Sequence, residues 1–214
     1  MEFKRLTKED VPANDHLRDF FVWWDDISQE DVDSLRSALN SAEGEVEMQA
    51  YLEEHPIALI QHLGGGHGRW VISHKRLGAE LVPDFLIGER SSLGFEWYGV
   101  ELESPTASLF NTSGDPSATL THAIRQIIDW RVWLEKNLDY AVRPRDKQGL
   151  GLTDINGKLP GLILIGRRDS LDPSTRERRR QISGDLRIQI HTYDWLVDMV
   201  QGRVEALKLF RGSK

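Results

Sequence analysis

Residues 97–105 read WYGVELESP, and their alternation decides how the rest of the chain is read. Taken as a strand, the stretch puts Trp97, Gly99, Glu101 and Glu103 on one face and Tyr98, Val100 and Leu102 on the other. Glu101 and Glu103 therefore point the same way from a segment whose aromatic and β-branched neighbours mark it as buried. Two like charges on a half-buried face repel and are costly to desolvate, so the pair is expected in solvent or around a cation.

Working outward, the stretches RWVISHKRLG, ELVPDFLIG and GFEWYGVELE are three short β-rich segments separated by turn-like KRLG and ERSSLG, and they predict a three-stranded meander. Upstream, DDISQEDVDSLRSAL and EGEVEMQAYLEEHPIALIQHL carry helical spacing, with Pro56 interrupting the second. Downstream, Asp115-Pro116 reads as an N-cap and first helical residue for a long helix running to about residue 138. LPGLILIG is a continuous apolar run of the kind a central strand shows. RRDSLDPSTRERRRQIS follows as a basic helical crossover, LRIQIHTY as a last strand, and DWLVDMVQGRVEALKLF as a C-terminal helix. The order α, β, β, β, α, β and then α, β, α predicts an α/β fold, a mixed central sheet flanked by helices. Residues 1–40 are expected to form an N-terminal helical extension and 41–214 the main domain.

The 214 residues suffice for one sizeable core, and a 39% hydrophobic content is ordinary for a globular chain. A formal charge of −7 argues against coating nucleic acid or membranes by bulk electrostatics, so a polyanion must meet a local patch or metal ions. The lack of cysteine excludes disulfides and thiolate metal sites. No apolar leader opens the sequence and no run is long enough to span a bilayer, so a cytoplasmic protein with no membrane partner is expected.

If the second and third strands pair, Asp84, just after Pro83, lies beside Glu101 and Glu103. Three carboxylates in reach of each other need a counter-charge, and a hard cation such as Mg²⁺ or Mn²⁺ supplies one through oxygen ligands. Pro83-Asp84, then Glu101-x-Glu103, within this order of elements, resembles the PD-(D/E)xK nuclease superfamily with its restriction-endonuclease-like α-β-β-β-α-β core. GEVEMQAYLEEHP, VPDFLIG, YGVELESP, HAIRQIIDWRVWL and IQIHTYDWL, over roughly residues 43 to 200, resemble the Shedu type of antiphage immune nuclease. The resemblance implies metal-dependent cleavage of DNA phosphodiesters in bacterial antiviral defence, homo-oligomerisation, and Asp84 and Glu101 as metal ligands.

Glu103 stands where that superfamily usually carries lysine. A carboxylate there could ligate metal or serve as general base, and Lys75 is a candidate for the displaced cation. In the long helix, His122, Gln126 and Trp130 recur at four-residue steps. This resembles the RecB-like branch, in which the glutamine borders the metal and contacts substrate; His122 and Trp130 are substrate-binding candidates beside it. Glu45, placed by its spacing to Met48 and Leu52 on the apolar stripe of its helix, is the candidate fourth acid and metal ligand. Arg167, Arg168 and the run RERRR (176–180) are the basic concentration best suited to phosphate contacts. GGGHG (64–68) lacks the Lys-Ser/Thr of a phosphate loop, and His62, His67 and His74 lack zinc-site spacing. A nuclease fold that no longer cuts and acts as a nucleic-acid-binding or assembly module is the runner-up. Paired carboxylates of a glycosidase rank lower, since those come from separate elements.

Overall fold

The computed structural model describes residues 9, 11, 15–64 and 68–212, so His67 lies outside the described residues. Two helices open the fold, α1 (Gln29–Ser41) and α2 (Glu45–Glu54). Ser28 starts α1 with a reciprocal cap, its hydroxyl accepting from the Glu30 N–H while Asp31 accepts from the Ser28 N–H. Pro56 ends the second helical stretch as expected, starting a separate 3-10 segment, Pro56–Ile60.

The meander follows as β1 (Arg69–Ser73), β2 (Phe85–Ser91) and β3 (Gly94–Leu102), each antiparallel to its neighbour. After α3 (Ala118–Lys136) and the short α4 (Leu138–Val142), strand β4 (Gly161–Leu164) pairs parallel with β3. A crossover through α5 (Arg176–Leu186) leads to β5 (Ile188–His191), parallel to β4, and α6 (Tyr193–Gly212) closes the described chain. The result is a five-stranded mixed sheet in the order β1-β2-β3-β4-β5 with helices on both faces. No helix among the described residues is long and apolar enough to cross a membrane.

The alternation read from WYGVELE is what the sheet shows. Val100 and Leu102 join Phe85, Ile87, Leu162 and Leu164 under α1, α2 and α6, while Trp97 joins Leu86, Ile163, Ile188 and Ile190 under α3. Gly99 lets α3 approach closely: a Cβ there would stand 2.9 Å from the Trp130 ring.

The start of α3 corrects one expectation. Its N-cap is Ser117, whose hydroxyl accepts the Leu120 N–H at 3.1 Å, not Asp115. Asp115 is drawn off by Arg178 at 3.0 Å, and Pro116 is held in a β-bridge with Phe110. The short helix α4 was not foreseen in the Gly-rich connection.

Candidate functional site

The β2–β3 register builds the site. Phe85 faces Val100 across the antiparallel ladder, so one step further Asp84 faces Glu101. Asp84 is fixed at both ends: its carbonyl accepts the His74 N–H at 2.9 Å, and its Oδ2 accepts the Leu102 N–H at 2.7 Å. Glu101 is 5% exposed and Glu103 8% exposed. Glu103 continues the pairing beyond β3, donating its N–H to the Leu164 carbonyl at 2.9 Å, while its own carbonyl accepts the Tyr193 hydroxyl at 2.9 Å.

The two oxygens of Glu101 differ. Oε1 accepts the Gln126 side-chain amide from α3, whereas Oε2 is buried with no hydrogen-bond partner among the described residues. Burial, then the neighbouring Asp84, Glu103 and Glu45, push the Glu101 carboxyl up to about 10. Burial and the charges of Glu45 and Asp84 push Glu103 up to about 7. Asp84 rises to about 6, chiefly by burial, with the Leu102 N–H opposing. Glu45 is raised by burial and eased by His122. The buried Tyr193 phenol is held well above its ordinary value by burial and by the same four acids. Four carboxylates thus feel one another's charge at the carboxyl end of β3.

Asp84, Glu101 and Glu103 come together as the strand spacing and pairing predicted, and Gln126 joins them where the resemblance implied. Glu45 corrects a detail: it is exposed at the first position of α2, off the apolar stripe, and acts on the cluster from the rim. Glu47 is taken by the Gly44 N–H at 3.0 Å. His122 is exposed, with Nδ1 against Arg125 at 3.3 Å. Trp130, expected to border substrate, is 1% exposed in the core against Gly99, and its ring offers no face to a ligand. Arg167 and Arg168 are engaged with α6: Arg167 pairs with Asp194 at 3.1 Å and Arg168 with Asp198. Lys75 donates to the Leu150 carbonyl at 3.2 Å, with Arg145 as the charge it feels.

Two residues were missed. His74 sits beside Asp84 in a left-handed conformation (φ 47°), its Nδ1 3.0 Å from Glu53. Tyr193 underlies the acids. Its signal lay within IQIHTYDWL, where a tyrosine directly follows a strand that ends beside the site.

No group of three or more His, Asp or Glu among the described residues is arranged to hold a metal ion as the side chains stand. The donor chemistry nevertheless fits Mg²⁺ or Mn²⁺. These ions favour carboxylate oxygen, and Mg²⁺ is commonly bound by one or two carboxylates completed by water and substrate phosphate. The Oε2 of Glu101, unpartnered among the described residues, is the buried acceptor that such a cation would satisfy, on a residue that faces Asp84 across the ladder.

Fold and site together define a mixed α/β domain with a carboxylate cluster where β2 and β3 meet. The profile of the family described as Shedu protein SduA, C-terminal, matches residues 42–197, nearly three-quarters of the chain. The chain belongs to that family. No curated protein matched it.

Proposed function

We propose that this chain is a metal-dependent nuclease of restriction-endonuclease-like type that hydrolyses DNA phosphodiesters in defence against phage. Membership of the Shedu family supports the antiphage role. The observation that carries the chemistry is the meeting of Asp84, Glu101 and Glu103 across β2–β3, with one Glu101 oxygen buried and unpartnered. A cytoplasmic homo-oligomer using Mg²⁺ or Mn²⁺ belongs to the same reading.

Asp84 and Glu101 would hold the cation, with Glu45 at the rim. When bound, it would orient the phosphodiester, lower the pKa of a water and offset charge in the displacement. The chain's own groups do the rest. Gln126 fixes Glu101 by holding Oε1, and the Leu102 N–H fixes Asp84. Glu103, whose carboxyl titrates near neutrality at about 7, takes the proton of the attacking water. His122 stands at the exposed rim, where a ring N–H would meet a phosphate oxygen.

The non-cutting module is the second reading, favoured by Glu103 in the usual lysine position and by the lack of a three-residue ligand group. Incubation with plasmid, linear duplex and single-stranded DNA in Mg²⁺, Mn²⁺ or EDTA separates the two. Cutting in metal but not in EDTA, reduced about 100-fold or more in Glu103→Gln, is expected of a general base. Binding without cutting in either metal would establish the module instead.

A further inference from the structure

A second charged feature lies on α5. Its sequence, RERRRQISGDL, brings four arginines to one helix of a chain whose formal charge is −7. Arg178 donates to the Gly114 carbonyl and to Asp115, tying α5 to the loop before α3. Arg180 meets only Glu177, at 3.7 Å and in solvent. Arg176 and Arg179 are three residues apart, hence neighbours on the helix surface, and neither guanidinium has a hydrogen bond or ion pair among the described residues.

Like charges at that spacing repel, and Arg179 is partly withdrawn from water, which leaves it in want of an acceptor. The two residues line a hollow of about 310 Å³ together with Leu171, Pro173 and Arg168, whose own guanidinium is paired with Asp198. Asp172, also lining it, is an anion whose carboxylate caps the Ser174 N–H at 2.8 Å, so the hollow carries three arginines against one aspartate. Polyanions are repelled by most of an acidic surface and drawn to a local basic hollow.

The fold puts this hollow on the same side as the acids. Strands β3, β4 and β5 are parallel, so Glu101–Glu103, the Arg167–Arg168 segment and His191 all lie at their carboxyl ends. Ile182 and Leu186 pack α5 on the core beneath α3, the face from which Gln126 reaches Glu101. In the sheet that α5 packs on, β3 and β5 are separated by β4 alone, about 10 Å at the usual strand spacing.

We propose that Arg176 and Arg179, with Arg168 beside them, form a backbone-phosphate anchor that holds a nucleic-acid strand on the β5 side of the acidic cluster. This rests on the nucleic-acid reading of that cluster for the identity of the polyanion, and not on its cutting activity.

The test is fluorescence anisotropy of duplex and single-stranded DNA against the full chain in EDTA, over a series of salt concentrations. Arg176→Gln/Arg179→Gln should weaken binding about tenfold or more near 0.1 M salt and flatten the slope of log K against log salt by about two. The control Arg36→Gln, on α1 and paired with Asp33, should change neither. Because neither α5 arginine has a protein partner, the double variant should melt no lower than the parent. Unchanged affinity and slope in a folded double variant would overturn the anchor while leaving the nuclease reading intact. Failure of the parent to bind any DNA in EDTA would overturn the anchor, and failure to bind in Mg²⁺ or Mn²⁺ as well would overturn the nucleic-acid reading with it. Arginine-dependent binding of a mononucleotide, with strand binding unaffected, would replace the anchor with a small-ligand site.

Discussion

Glu101 is the residue on which the site turns, because its two oxygens live differently: one is held by Gln126 and the other is buried with nothing to accept from. Such a group is costly as a charge and is held protonated until a cation or donor arrives. Its neighbours share the cost, and the pH dependence of stability should show it. Asp84 at about 6 and Glu103 at about 7 keep their protons longer than unfolded carboxylates, which titrate near roughly 4. The folded chain therefore binds more protons over that window, and stability present at low pH is lost as pH rises through the folded values. In EDTA, thermal melts should fall from about pH 5 to about pH 7.5. Glu103→Gln, which cannot ionise, should flatten that fall. An equal slope in parent and variant would mean that Glu103 is solvated and ordinary.

At the scale of elements, the strand carried the most readable information. Period-two alternation in WYGVELE gave the faces and thus the meeting of the acids, because a strand buried on both sides leaves its side chains no other arrangement. Helical positions were less legible. His122, Gln126 and Trp130 are four residues apart, but at 3.6 residues per turn each such step drifts by about 40°, so the face has turned by about 80° by Trp130. That drift separates an exposed histidine from a buried tryptophan. Glu45 misled because it is the first residue of α2, where a side chain leans back past the helix end instead of along its stripe. Asp115 was lost to Arg178, 63 positions away, a contact that no local pattern contains. The close approach of α3 to β3 makes its own prediction. Gly99→Ala would press a methyl into the Trp130 ring at 2.9 Å and Leu159 at 3.1 Å, so it should cost about 1–3 kcal/mol. For a chain of this size that lowers the melting temperature by roughly 2–4 °C per kcal/mol. Cutting should fall further than stability does, since the displaced helix carries Gln126. A variant as stable and active as the parent would mean that the packing yields freely there.

For the whole molecule, a cation held by the acidic cluster, as proposed, would make stability and metal binding one property. A cation that binds only the folded chain stabilises it by mass action, about 2.7 kcal/mol at a hundredfold excess over Kd. Millimolar Mg²⁺ or Mn²⁺ should therefore raise the melting temperature by several degrees, and Glu101→Ala should remove most of that rise. If neither metal shifts the melt with or without an oligonucleotide present, the cluster does not bind cations and the non-cutting module gains.

The most direct measurement is the cleavage rate of DNA by the parent and by Asp84→Ala in matched Mg²⁺ or Mn²⁺, with melting curves recorded for both. Asp84 would supply a cation ligand opposite Glu101 in the proposed site, and its removal also relieves like-charge repulsion among the acids. The variant should remain folded, since the relief of that repulsion opposes the loss of the acceptor for the buried Leu102 N–H, while its cleavage falls to the level seen in EDTA. Undiminished cutting by folded Asp84→Ala, or cutting by the parent in EDTA, would contradict a metal-dependent nuclease built on this cluster.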